Sequence, residues 1–319
     1  MILGVTIPQR ATLAETLDEF AAAEETGAGS LWFSQPPGGL DALTVLALAA
    51  GRTRAARLGT AVLPTFPSHP LLTARAVQTA AAAAPGRIVL GVGAGHRAWV
   101  EHEYGQRFDR PVHHVTEWVA TVRRLLAGEA LAASDNAFGL TVAGSGATTE
   151  VPIVVAGTGP RMLSAAGRIA DGVLTWMCDE AYLAEVVFPA VARGAADAGR
   201  PAPPVIAGVL ICVSDHPDEA RAALAPRLAP LGRYDSYRAV LSHGAPAPRP
   251  PVDVSVIGAE ADVAAALGRL AAAGVSEVVA VVLPDPADPA GSAARARRLL
   301  AAMAAQQPPQ AAVRPGRES

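Results

Sequence analysis

Met1–Arg10 reads MILGVTIPQR, an apolar strand from Ile2 to Ile7 that runs straight into Pro8, Gln9 and Arg10. A dinucleotide-binding domain needs a glycine-rich turn at that point, so that backbone can approach a pyrophosphate, and none is there. Outward from this strand the pattern repeats. Short β-branched runs over residues 30–34, 57–62, 87–93, 152–156, 172–176, 205–213 and 277–283 alternate with alanine-rich stretches of helical period. Strands that are apolar without alternation are those buried on both faces. Eight of them, each followed by a helix, predict an α/β fold of the closed parallel (β/α)8 TIM-barrel type rather than two Rossmann domains.

The first helix opens with Thr12 and Glu15 as a capping box, and Leu13, Leu17, Phe20 and Ala21 share one face. Further helices are predicted near 41–53, 69–84, 111–127, 160–170, 180–198, 216–228, 260–273 and 292–305. The chain reads as a single barrel over 1–305 with insertions near 129–151 and 230–256. The first insertion suggests a short hairpin around Phe138–Val142, and both are expected to border the barrel mouth. The polar, proline-rich tail over 306–319 is expected to be disordered.

Among its 319 residues there is no lysine, so all 26 basic residues are arginine. Schiff-base aldolases, pyridoxal-phosphate enzymes and P-loop nucleotidases each need a lysine amine and are excluded. The net charge of -3 is spread along the chain without a basic run, which argues against nucleic acid as a partner. No apolar run approaches the roughly 18 residues of a membrane span, and no basic region precedes an apolar stretch at the start. With only Cys178 and Cys212, a disulfide framework is not expected and a reducing cytoplasm is. A homodimer is the commonest soluble assembly.

In a barrel the reacting groups sit at the carboxyl ends of the strands. GVGAGHR (Gly91–Arg97) leaves a strand with glycine at every second position, which suits either the close approach of a planar ring or a turn needing positive φ. AGTGP (Ala156–Pro160) joins a strand to a helix that starts with proline. Free N–H groups there make an anion site, or Thr158 simply caps the helix. His96 stands at a strand end where it could carry a proton or be structural. His69, in FPSHP, suits capping or pocket lining. Glu101, His102, Glu103, His113 and His114 lack any metal-ligand spacing, and no serine or cysteine sits in a nucleophile motif.

LGTAVLPTFPSHPLLTARAVQTAAAAAPGRIVLGVGAGHR (Leu58–Arg97), PIVVAGTGPRMLSAAGRIADGVLTWM (Pro152–Met177) and VIGAEADVAAALGRLAAAGVSEVVAVV (Val256–Val282) together resemble the luciferase-like monooxygenase superfamily, more narrowly its coenzyme F420-dependent oxidoreductase branch. The resemblance implies a bacterial luciferase-like barrel and an enzyme moving hydride between the deazaflavin and a small organic substrate, most naturally at a C=C or C=N bond. A flavin mononucleotide (FMN) monooxygenase and a non-catalytic coenzyme-binding barrel are the alternatives. By the same resemblance the coenzyme ring lies against a bulged third strand containing a non-proline cis peptide, here Ala61–Val62. Thr60, Ala61, Val62, Gly93, Ala94, Gly95 and Met177 would contact the ring, and Gly157, Thr158, Gly159, Pro160 and Arg161 the phosphate end. His96 and Gln35 are the implied catalytic residues, with Trp99, Trp176, His69 and Arg10 meeting substrate. Sugar-phosphate dehydrogenases of the family carry acidic residues and lysines where this chain has Gln35, Pro36, His96 and no lysine, which argues against that substrate. An arginine-lined entrance for the anionic coenzyme is expected, beginning at Arg161.

Overall fold

The computed structural model describes residues 1–306, so the expected disordered tail lies, from residue 307 on, outside the described residues. Its strands are β1 (Ile2–Thr6), β2 (Ser30–Phe33), β3 (Arg57–Thr60), β4 (Leu63–Pro64), β5 (Ile88–Gly93), β6 (Ile153–Ala156), β7 (Gly172–Trp176), β8 (Val205–Val213), β9 (Val256–Gly258) and β10 (Glu277–Val282). Parallel pairing runs β1–β2–β3–β5–β6–β7–β8, and the ring closes because β10 pairs with both β8 and β1. This is the predicted eight-stranded barrel. β4 continues the third strand beyond a break and pairs with β5. Ile211 pairs with Val282 and also with Val256, so β9 takes the edge of β8 that β7 leaves after Gly208.

The helices are α1 (Leu13–Glu25), α2 (Ala42–Ala49), α3 (Pro70–Ala83), α4 (Pro111–Leu126), α5 (Pro160–Ile169), α6 (Glu180–Tyr182), α7 (Phe188–Asp197), α8 (Pro217–Leu228), α9 (Asp235–Leu241), α10 (Glu260–Ala272) and α11 (Pro289–Ala305). The capping box of α1 forms as read, Thr12 and Glu15 exchanging 3.1 Å hydrogen bonds. Leu17 and Phe20 turn inward, whereas Leu13, in the first turn, stays 38% exposed. Between strands and helices lies one continuous apolar core. A second cluster fills the barrel itself, with Trp32, Val89, Val154, Leu174, Ile206 and Val279 meeting across the axis, so the interior is packed and not a pore.

One reading needs correction and two gain detail. The helix expected over 180–198 forms, and a π-helical turn (Leu183–Val187) joins α6 to α7 without a gap. Pro189 has no N–H and its ring crowds the Glu185 carbonyl, and a widened turn relieves that clash. The hairpin expected over Phe138–Val142 is instead a single antiparallel bridge, Leu131 to Val142. Asn136 takes the intervening backbone bonds, accepting from the N–H groups of Phe138 and Leu140 and donating to the carbonyls of Ala132 and Leu140. The later insertion has structure of its own: a 3-10 turn (Ala229–Arg233), α9, and a second 3-10 turn (Pro251–Val254).

The amino-terminal end of the barrel is closed by a polar plug. Glu277, 1% exposed at the start of β10, accepts from Arg57 at 2.5 Å, from Ser30 at 2.5 Å and from the Trp32 indole at 2.9 Å. The donors come from β2 and β3, so one carboxylate ties three strands.

Candidate active site at the carboxyl end of the barrel

The third strand breaks at Ala61–Val62, where the peptide bond is cis as the resemblance implied. The Thr60 hydroxyl donates to the Gly91 carbonyl at 2.6 Å, so it is turned toward β5. A Cβ on Gly91 would come within 1.9 Å of the Thr60 carbonyl oxygen, which is why β5 carries glycine there. Ala61, Val62 and Ala156 then pack on the barrel-filling cluster and line the floor of the mouth. Gly93 ends β5, Ala94 is half-buried, and Gly95 adopts φ +77, so the turn requirement holds at this one glycine of the run.

That turn delivers His96 into an aromatic enclosure. Its ring stacks on Tyr234 at 3.8 Å and meets the edges of Trp99 at 4.6 Å and Tyr237 at 5.2 Å. Its Nδ1 lies 3.1 Å from the Ser236 hydroxyl and its Nε2 lies 3.2 Å from the Tyr237 hydroxyl. Burial without a countercharge pushes its pKa down to about 4, so the imidazole is neutral at physiological pH. Trp99, placed by the sequence among substrate-binding residues, is thus a wall of the same enclosure and opens a π-helical turn (Trp99–Glu103).

On the neighbouring strand, β6 ends at Ala156 and α5 begins at Pro160 with Gly159 as its cap residue. No side chain caps this helix, so the Thr158 cap reading fails. The Thr158 hydroxyl donates instead to the Ser236 carbonyl at 2.5 Å, and its own carbonyl accepts from the Tyr182 hydroxyl at 2.8 Å. Proline has no N–H to offer, and those of Arg161 and Met162 have no acceptor within the helix. A side chain at Gly159 would meet nothing within 4 Å, whereas one at Gly157 would meet Met162. Arg161 is exposed and forms no ion pair among the described residues. Free N–H groups, an open glycine and an unpaired guanidinium make this helix start suited to an anion.

The remaining candidates divide. Trp176, at the end of β7, lies across Gly208, where a Cβ would come within 2.5 Å of the indole. Met177 follows it with φ +56, an uncommon backbone for a bulky residue, and is buried. Both belong to the mouth, in one cluster with Tyr237. Three others are held elsewhere. Arg10 is bound to Glu19 at 2.6 Å on the outer helix layer. The Gln35 side-chain oxygen accepts from the Ala42 N–H at 2.6 Å and so secures the start of α2. His69 occupies the cap position of α3 through its backbone, its side chain exposed and making no cap bond.

Among the described residues no group of three or more His, Cys, Asp or Glu is placed to hold a metal ion. His114 stacks on Phe66 at 3.9 Å, and His102 and His113 are exposed. Burial raises the thiol pKa of Cys178 to about 12 and of Cys212 to about 11, so neither is a thiolate at neutral pH. Among the described residues no helix is long and apolar enough to cross a membrane.

Tyr234, Ser236 and Tyr237 were not anticipated. They come from the insertion, 140 residues beyond His96. The one available signal was tyrosine itself: two of the chain's four stand three apart, on one helical face, in a stretch otherwise rich in turn residues.

Comparison with known proteins agrees with this architecture. A 5,10-methylenetetrahydromethanopterin reductase of Methanolobus tindarius is 29% identical over 209 residues, covering 65% of this chain and 63% of the relative. An F420-dependent glucose-6-phosphate dehydrogenase of Microbacterium testaceum is 34% identical over 224 residues, covering 64% and 65%. In both cases the chain spans less than two thirds of the relative's own length. Among solved structures, an F420-dependent secondary alcohol dehydrogenase in complex with an F420-acetone adduct superposes with a TM-score of 0.77 at 18% identity, covering 93% of this chain and 97% of that one. The luciferase-like monooxygenase family model matches residues 3–277, from the first barrel strand to the start of the last. With the ring of strands, the break in the third and the open helix start after the fifth all in place, the chain belongs to the luciferase-like monooxygenase family.

Proposed function

We propose that the protein is a coenzyme F420-dependent oxidoreductase that transfers hydride between the deazaflavin and a small organic substrate, reducing a C=C or C=N bond. The observation that supports it most is the pairing of two surfaces on adjacent strands. The half-buried bend at Ala94 and Gly95 beside the Ala61–Val62 step offers a face to a flat ring, and the open start of α5 with Arg161 offers N–H groups and a cation to a phosphate. The relatives named for F420 point the same way.

Deazaflavin supplies hydride when bound and is a poor oxygen activator, which separates this reading from an FMN monooxygenase. The chain's own residues do the rest. Gly159, Arg161 and Met162 hold the anionic end, and Ala61, Val62 and Gly93 present a flat apolar floor to the ring. Trp99, Trp176 and Met177 would exclude water from the mouth. His96, neutral in its enclosure, acts as a hydrogen-bonding group and not as a charged acid.

Equilibrium titration of the purified protein with F420 and with FMN, followed by fluorescence, tests the reading. Binding of F420 at micromolar concentration or below is expected. Micromolar binding of FMN with none of F420 would sink it.

A further inference from the structure

The two ring nitrogens of His96 are both taken by hydroxyls of the same insertion, Ser236 on Nδ1 and Tyr237 on Nε2. A neutral imidazole has one N–H and one lone pair, so each hydroxyl must play the opposite part to the other. A phenol is the stronger hydrogen-bond donor and an aliphatic alcohol a ready acceptor. The bonds therefore run from Tyr237 O–H to Nε2 and from Nδ1–H to the Ser236 oxygen.

Nothing charged competes with this pattern. On the insertion, Asp235 pairs with Arg238 at 2.7 Å, and beyond β5 Arg97 pairs with Glu101 at 2.8 Å. Tyr234 and Trp99 meet the ring only through their aromatic faces and edges. Tyr237 is itself anchored in the apolar cluster with Trp176 and Met177 at the end of β7 and Leu210 within β8, while Ser236 is exposed. The insertion thus spans the mouth from its β8 side to the end of β5, with the imidazole as the bridge.

We propose that Tyr237 is a positioning residue that, together with Ser236, locks His96 into a single neutral Nδ1–H tautomer at the barrel mouth. The functional consequence rests on the oxidoreductase reading: with both nitrogens engaged by hydroxyls, His96 presents a fixed neutral ring at the mouth and not an acid. The tautomer itself does not depend on that reading. A hydrogen bond donated to the lone pair stabilises the neutral ring, so its loss makes protonation easier.

The test is long-range 1H–15N correlation spectroscopy of the histidine rings in the coenzyme-free full chain across a pH titration, with His96→Gln identifying the His96 signals. The wild type should show the Nδ1–H pattern alone. In Tyr237→Phe, which keeps the aromatic ring, the Nε2–H pattern should appear and the titration midpoint should rise by about half to one pH unit. In Ser236→Ala the Tyr237 hydroxyl still donates to Nε2, so the Nδ1–H pattern should persist, with that N–H turned to solvent. An Nε2–H wild type overturns the proposal, and so does a pattern and midpoint left unchanged by Tyr237→Phe. If Tyr237→Phe does not fold, an Nε2–H pattern in Ser236→Ala, where the Tyr237 hydroxyl is still present, overturns it alone. Because no coenzyme is present, this outcome is separate from that of the F420 titration.

Discussion

At one end of the barrel Glu277 is 1% exposed and collects donors from Arg57, Ser30 and Trp32, all three on the barrel strands themselves. At the other end His96 is half-buried and takes its partners from an insertion far along the chain. The lower cluster is charged and rigidly placed by strand register. The upper one is neutral and placed by a segment that is no part of the ring. The contrast separates two tasks: the lower end fixes which strands are neighbours, and the upper end is free to be shaped for a ligand.

The largest break in this comparison should come from the lower end. Glu277→Ala leaves the Arg57 charge buried without its counterion and should cost roughly 3–5 kcal/mol in urea unfolding. F420 affinity of the folded fraction should be unchanged. A change in affinity comparable to the loss of stability would show that the two ends are coupled. The mirror experiment is Arg161→Ala, which should weaken F420 binding about tenfold while unfolding free energy moves by less than about 0.5 kcal/mol. Isothermal calorimetry and urea melts on the same preparation check both halves.

A finer test addresses how independent the insertion is. Tyr234→Leu removes the stack on His96, a contact of about 1 kcal/mol. Limited proteolysis should then cut within residues 229–254 sooner than in the wild type, with global unfolding nearly unaltered. Equal acceleration of cutting throughout the chain would mean that the insertion is integral to the core.

The smallest effect is a pH dependence. His96 has a folded pKa of about 4, below its unfolded value near 6.5, so between these limits the unfolded chain binds more protons. Its contribution to stability is complete above about pH 6.5 and is lost as pH falls to about 4. His114, whose pKa is also lowered by burial, acts in the same direction. The partial exposure of His96 keeps the effect small. A fall in melting temperature of about 1–3 °C between pH 7 and 4.5 should be present in the wild type and missing from His96→Gln, once the common acid response is subtracted.

The strands were legible because burial on both faces leaves an uninterrupted apolar run, as in Val205–Val213, where all nine residues are buried. The glycine run and the proline-led helix were legible because close approach and a helix start each demand particular residue types. Partners such as Arg10 with Glu19, or Gln35 with the start of α2, were not. Position at a strand end says which residues can face the mouth, but rotamer and local competition decide which of them do. The enclosure of His96 lay further out of reach, since a contact across 140 residues leaves no periodic trace.

The barrel hydrogen-bonds shut between β8 and β10, while residues 229–254 leave after α8 and return to the edge of β8 through β9. Ring closure therefore does not require the insertion to have any particular length or sequence. Doubling a flexible loop costs only about 0.6 kcal/mol of closure entropy. The segment is in effect a cassette with two fixed ends, and exchanging it would re-tool the chemistry above His96 while the scaffold below is inherited unaltered.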